Sequence, residues 1–322
     1  MPASRRAPLP DPPELPPTLP QLHARILDWY AQAGRDLPWR GNDVTPWGVF
    51  VSEVMSQQTP VARVEPAWRE WLTRWPTPAD LAADSPGEAV RLWNRLGYPR
   101  RALRLHEAAG AMVDRHDGQV PSDEADLLAL PGVGAYTAAA VAAFAYGLRT
   151  TVVDTNVRRV EARLVTGAAL PAPALTRAET ALATALLPED DADAATWNVA
   201  SMELGALICT ARAPRCEACP VEDLCAWRQA GSPAYDGPAR KGQAWAGTDR
   251  QVRGRIMALL RETPDPVSAT DLAAAWPDDA AKRDRCLASL IEDGLVEPVP
   301  VAEGTPTAAE HEQFYRLPTA DA

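Results

Sequence analysis

Four of the five cysteines lie within seventeen residues, Cys209, Cys216, Cys219 and Cys225, with six, two and five residues between them. Cysteines packed this closely in an intracellular chain are metal ligands far more often than disulfide partners. A four-cysteine zinc site usually comes as two Cys-x2-Cys knuckles, and here there is one. Four thiolates at uneven spacing, with Pro220 after the third, suit a [4Fe–4S] cubane better. A cluster held by these four residues is therefore expected, with zinc and disulfides as the weaker alternatives. Cys286 stands apart beside Leu287, Leu290 and Ile291 and reads as core.

Around that cluster the chain reads as helix after helix. Leu22, Ile26, Trp29 and Tyr30 fall on one helical face. Further helices are expected over 78–83, 87–96, 101–116, 124–130, 135–146, 156–165, 177–187 and 195–208. Thr59-Pro60 reads as an N-cap followed by proline in the first turn, opening another helix through Trp68 and Leu72. No convincing period-two strand occurs before residue 230. The eight prolines of residues 1–20 point to an extended arm without the apolar region of a secretory signal. Residues 231–247 read as a linker. From 248 to 322, three amphipathic helices precede two short apolar stretches, 295–301 and 314–317, which is the winged-helix pattern; a plain helical cap is the alternative.

No apolar run approaches the roughly 20 residues of a membrane span, so a cytoplasmic protein with no membrane partner is expected. Its net charge of −11 argues at first against a polyanionic ligand. Of 32 basic residues, however, only Lys241 and Lys282 are lysine, leaving 30 arginines. Arginine grips phosphates and base edges bidentately, so its placement outweighs the total. Residues 91–116 hold six arginines against Glu107 and Asp114; Arg158, Arg159, Arg212 and Arg215 follow. A positive stripe on an acidic body is expected, binding phosphates with an affinity that falls as salt rises.

Three segments carry chemistry. In Leu130-Pro131-Gly132-Val133-Gly134-Ala135-Tyr136, a Gly-x-Gly turn joins two helices. Glycines there let the backbone approach a phosphate at a helix N-terminus, although a tight helix–helix turn reads the same way. Asp154 follows Val152-Val153 at a helix start, where a carboxylate could simply be an N-cap. Glu53, in Val51-Ser52-Glu53-Val54-Met55-Ser56-Gln57-Gln58-Thr59, has apolar neighbours on both sides and two amides behind it. Two carboxylates of this kind satisfy the demands of glycosidic cleavage: one acid and one charge stabiliser.

This order of features resembles the helix-hairpin-helix DNA glycosylases that carry an iron–sulfur cluster: an all-α fold with a helical barrel and a cluster domain. Two branches are candidates, the endonuclease III-like enzymes and the A/G-specific adenine glycosylases. The first uses a hairpin lysine as Schiff-base nucleophile; here Tyr136 occupies that position, and both lysines lie beyond residue 240. The segment around Glu53 is similar to the adenine-glycosylase motif SEVMLQQT. Leu37-Pro38-Trp39-Arg40 resembles the family's LPWR segment, Tyr98 in Leu96-Gly97-Tyr98 its wedge tyrosine, and Glu203 a base-contacting acid.

The resemblance implies a monofunctional enzyme that flips out and hydrolyses adenine opposite 8-oxoguanine or guanine. Glu53 would protonate adenine N7 and handle the water. Asp154 would stabilise the sugar cation, supported by Tyr136 and Asn156. Trp39, Arg40, Gln57, Gln58, Tyr98, Gly132, Gly134 and Glu203 would contact DNA or the base. It further implies a barrel of residues 45–149 and a cluster domain of 21–44 with 150–230, enclosing a DNA groove, in a nucleoid-associated monomer.

Ser56 departs from the family's leucine, Thr155 from a glycine and Pro99 from a second tyrosine. The roughly 75 residues from Thr248 are too few and too helical for the Nudix-like domain that inspects 8-oxoguanine in many members. Two alternatives remain: a same-fold glycosylase for G:T or G:U mismatches or oxidised pyrimidines, and a catalytically silent DNA-binding iron–sulfur protein.

Overall fold

The computed structural model describes residues 15–237, 246–299 and 313–319. Residues 1–14, 238–245, 300–312 and 320–322, which include most of the expected proline-rich arm and part of the expected linker, lie outside them. The described residues form two compact units.

One unit takes in the described residues up to 49 together with 122–128 and 133–237. It holds helices α1 (Leu19–Ala33), α7 (Glu124–Leu128), α8 (Ala135–Tyr146), α9 (Thr155–Glu161), α10 (Arg177–Leu186), α11 (Asp191–Leu207) and the short α12 (Ala226–Gln229). Its core draws Leu22 and Ile26 from α1, Leu182 and Leu186 from α10, and Trp197, Ala200 and Leu204 from α11. Helix α8 has the expected bounds. Helix α9 ends earlier than expected, because the chain widens into a π turn over Ala162–Thr166. Helix α11 starts four residues earlier, with Asp190 accepting from the Asp193 amide and Asp191 and Asp193 in its first turn. The acidic run Glu189–Asp193 thus starts a helix, where carboxylates complement the exposed N–H groups.

The other unit takes in the described residues of 50–121, 129–132 and 246–319. Most of α2 (Pro46–Ser56) belongs to it, with α3 (Val61–Arg74), α4 (Pro78–Ala83), α5 (Pro86–Leu92) and α6 (Arg100–Arg115). Trp71 meets Trp75 and Trp93 edge-on, with centroids 4.6 and 5.6 Å apart; such pairs add about 0.5–1.5 kcal/mol each beyond their burial. Ala108, Ala109 and Met112 line the buried face of α6. Thr59 is not the cap that the sequence suggested: α3 starts after Pro60, and the Thr59 hydroxyl bonds the carbonyls of Gln57 and Leu96.

In the same unit the C-terminal segment runs α13 (Asp249–Glu262), β1 (Val267–Ser268), α14 (Ala269–Ala275), α15 (Ala280–Glu292), β2 (Glu297–Val299) and β3 (Phe314–Arg316). The strands form an antiparallel sheet in the order β1-β3-β2. This is the winged-helix arrangement rather than a plain helical cap. Pro298, which lacks an N–H donor, sits on the edge strand β2. Val252, Ile256, Leu260, Leu272, Cys286 and Leu290 are buried beneath the sheet and helices, so Cys286 is core. The segment is joined to the barrel helices: a Cβ on Gly87 of α5 would stand 2.3 Å from the Pro318 carbonyl.

Candidate active site

Helix α2 is buried almost all round: Phe50, Val51, Ser52, Val54 and Met55 are inaccessible or nearly so. Glu53, in their midst, is 7% exposed. A carboxyl in such surroundings must be hydrogen-bonded or protonated. Beyond the helix the chain turns through Gln57 and Gln58, and Gln58 takes a left-handed φ of 52°. Tyr98, at φ 47°, has the same unusual backbone with 47% of its surface exposed. Non-glycine residues held in this region store strain and cluster at functional sites.

One side chain holds both turns. Arg101 of α6 donates from Nη1 to the carbonyls of Val54 (2.8 Å) and Met55 (3.0 Å) at the end of α2. Its Nη2 donates to the Thr59 hydroxyl and the Gly97 carbonyl, each at 3.0 Å, and to the Leu96 carbonyl at 3.3 Å. The guanidinium lies over the rings of Trp93 (5.1 Å) and Tyr98 (5.9 Å). Burial lowers its pKa to about 10, so it keeps its charge at neutral pH. The exposed Tyr98 and the turn of Gln57 and Gln58 are thereby tied to the Glu53 helix.

In the hairpin, Gly132 has φ +75°, and a Cβ there would meet the Arg104 Cβ at 2.7 Å, so only glycine fits. Gly134 precedes α8 as its N-cap residue, and the space where its Cβ would stand is open. Tyr136, in the first turn of α8, packs against Ala139, Ala140, Ala143 and Val152.

Asp154 is both the N-cap of α9 and the candidate catalytic carboxylate. Its Oδ1 accepts from the amides of Asn156 (2.8 Å) and Val157 (2.7 Å), and Oδ2 from the Asn156 side-chain amide (2.7 Å). Burial raises its pKa, opposed by those hydrogen bonds and by the charge of Arg159. Arg159 fixes Asn156 in turn, donating to its Oδ1 at 2.8 Å and to the Cys209 carbonyl at 2.6 Å. Helix α11 crosses closely here, since a Cβ on Gly205 would lie 2.7 Å from the Asn156 Cβ. A continuous path of hydrogen bonds thus joins the first cysteine's backbone to Asp154.

In the same unit Glu203 is 1% exposed. Its oxygens accept from the Arg35 guanidinium and from Arg40 Nη2 at 3.0 Å. Burial pushes this carboxyl up, but the two arginines outweigh it and hold the pKa below the ordinary value. Arg40 also lies over the Tyr30 ring at 5.8 Å, and the neighbouring Trp39 is buried.

All four clustered cysteines are free thiols. Burial pushes the Cys219 thiol up to about 12, with the charges of the other three cysteines adding to the shift. Such a group resists ionisation until a cation neutralises it. Arg163 Nη1 donates to Cys209 Sγ at 3.3 Å, Cys225 Sγ bonds the Arg163 carbonyl at 3.4 Å, and Trp227 packs under the Arg163 guanidinium. Four thiols with a hydrogen-bonded, aromatic-covered surround fit an iron–sulfur cluster.

The positive stripe requires correction. Arg91 is spent on the carbonyls of Leu260, Arg261 and Thr263, and Arg101 on five acceptors. Arg100 pairs with Asp293 and Arg104 with Glu107. Arg158 bonds Glu179 and two carbonyls, while Arg215 caps Leu207. Many of these arginines are internal cross-links, because a planar fork of five donors suits converging carbonyls as well as phosphates.

Residues 51–183 match the HhH-GPD superfamily of base excision DNA repair proteins, and 209–225 match the iron–sulfur binding domain of endonuclease III. The chain is 54% identical to the adenine DNA glycosylase of Mycobacterium tuberculosis over 84% of its length and 88% of the relative's. The chain belongs to the adenine DNA glycosylase family. Membership makes it a base-excision DNA N-glycosylase with a [4Fe–4S] cluster, for which Cys209, Cys216, Cys219 and Cys225 are the ligands present. Human adenine DNA glycosylase is 44% identical over 63% of this chain and 39% of its own. A thermostable thymine-DNA glycosylase shares the fold at a TM-score of 0.59 and 28% identity, covering 66% of this chain and 97% of its own. No described helix is long and apolar enough to cross a membrane.

Sequence reasoning missed the roles of Arg101 and Arg159. Their partners lie 3–50 residues away, and no local motif marks a guanidinium that binds carbonyls.

Proposed function

We propose that the protein is a monofunctional, monomeric enzyme that extrudes adenine paired with 8-oxoguanine or guanine from duplex DNA and excises it by hydrolysis. The observation that carries this reading is Glu53, a carboxyl buried within an apolar helix of an adenine glycosylase family member. Adenine is a poor leaving group as an anion, so a ring nitrogen must be protonated, and Glu53 supplies that proton to N7 before assisting the water. As the bond breaks, the sugar gains oxocarbenium character. Asp154, kept in place by two backbone amides and Asn156, offers it negative charge. Tyr136 stands where the bifunctional branch has its lysine, so no Schiff base forms and the strand stays intact. Gln57, Gln58 and Tyr98 fill the space of the extruded base, offsetting lost stacking and pairing. Gly132 and Gly134 receive the phosphate backbone at the start of α8, and Trp39 lines the base-contacting segment. Glu203 acts through Arg40, whose guanidinium it fixes.

Single-turnover reaction with duplexes containing A:8-oxoG, A:G, T:G or U:G tests this reading. Abasic product is expected from the first two alone, with no nick until base is added. Release only from T:G or U:G would overturn the substrate, nicking without base would contradict the role of Tyr136, and no product at all would leave a silent DNA-binding protein.

A further inference from the structure

The winged-helix segment from residue 248 lies beyond both matched domains, and its contacts lead to Tyr98. Helix α13 is fastened to α5 from both sides. Arg91 Nη1 caps the carbonyls of Leu260 and Thr263, each at 3.3 Å, and Arg261 Nε donates to the Val90 carbonyl at 3.0 Å. These bonds satisfy carbonyls that the end of a helix otherwise leaves without partners. Asp293, after α15, binds both Arg100 at the start of α6 and Arg253 of α13. The first turns of α13 are thus fixed beside the Tyr98 loop, and the Arg250 guanidinium lies 5.2 Å from the Tyr98 ring centroid. Arg101 lies over the same ring at 5.9 Å. An exposed tyrosine at a strained φ is therefore attended by two guanidiniums, one from the barrel and one from the C-terminal segment.

We propose that Arg250 is a DNA-binding residue which the winged-helix segment contributes to the extrusion wedge, bracing Tyr98 through its ring face and pairing with a backbone phosphate beside it. This rests on the reading of Tyr98 as the wedge. A guanidinium over the face of an aromatic ring keeps N–H donors in its own plane, and a phosphate can take two of them. The usual winged-helix alternative, reading DNA with the third helix, is less favoured. The three cations of α15 already have acidic partners: Lys282 with Asp279, Arg283 with Asp284, and Arg285 with Asp249.

The test uses the full-length, cluster-loaded protein and an A:8-oxoG duplex whose target is non-cleavable 2′-fluoro-deoxyadenosine, with 2-aminopurine next to it as a fluorescent reporter of unstacking. Wild type is compared with R250A, R250K, Y98A and R285A, each checked for its cluster absorbance. R250A should lower the slope of log affinity against log salt by about 0.9 and weaken the unstacking signal about two- to fivefold. R250K should recover the slope and R285A should match wild type. A wild-type slope and signal in R250A, with the signal lost in Y98A, would overturn this inference and leave the wedge reading standing. A full signal in Y98A would overturn both. A slope lowered by R285A but not by R250A would assign the contact to α15 instead.

Discussion

Arg101 donates to the carbonyl of Val54 across 2.8 Å, one residue beyond Glu53. The same guanidinium reaches the Gly97 carbonyl, one residue before Tyr98. The helix of the candidate acid and the loop of the candidate wedge therefore share one anchor, and strain at Gln58 and Tyr98 persists because that anchor holds both.

Arg101→Ala should remove about 2–4 kcal/mol of stability by leaving buried carbonyls without donors. Denaturant unfolding measures this directly. Arg101→Lys, with a single ammonium, should recover only part of the loss and should extrude the base poorly even where it is folded.

On the proposed mechanism the acid limb of the rate profile depends on Asp154, which is to work as the anion. Burial raises its pKa, so activity should fall away at a higher pH than an ordinary aspartate would give. Asn156→Ala removes the donor to Oδ2. The limb should move further up, and the single-turnover rate at neutral pH should fall by about 10- to 100-fold. A pH profile that Asn156→Ala leaves in place would deny Asp154 this role.

Glu161, near the end of α9, is 3% exposed. Burial, with Glu179 and Asp154 adding to it, pushes its carboxyl up to about 8. In the unfolded chain it ionises near 4.5, so the folded state binds the extra proton between those values. Its penalty is absent at pH 4, grows as pH rises, and is complete above about 8. Glu161→Gln should therefore stabilise the protein at pH 8, by on the order of 1–3 kcal/mol, and leave its melting temperature at pH 4 unchanged.

Removing the cluster should loosen residues 209–225 first, because burial pushes the thiols of Cys216, Cys219 and Cys225 toward protonation and the segment between them holds only short helical turns. Hydrogen exchange of the apo protein should show lost protection there. Through Arg159 and the Cys209 carbonyl, the loss should spread to the Asn156 and Asp154 amides while α3 and α6 stay protected.

Much of this was legible in local sequence. Helix α8 follows from its alanine run between Gly134 and Gly147, the cluster from its spacing, and the burial of Glu53 from its apolar neighbours. The arginines were not, because their acceptors are carbonyls up to 172 residues away. Strand β1, two residues long, is too short for any periodicity. Thr59 misled because its hydroxyl has a better use, bridging the Gln57 and Leu96 carbonyls and accepting from Arg101.

The most direct test of adenine excision is single-turnover release of adenine from an A:8-oxoG duplex by wild type and by Glu53→Gln at matched cluster occupancy. The account predicts complete conversion to an abasic site by the wild type and a rate lower by about 10²- to 10⁴-fold in the variant, with duplex binding retained. Equal rates in the two proteins would contradict it.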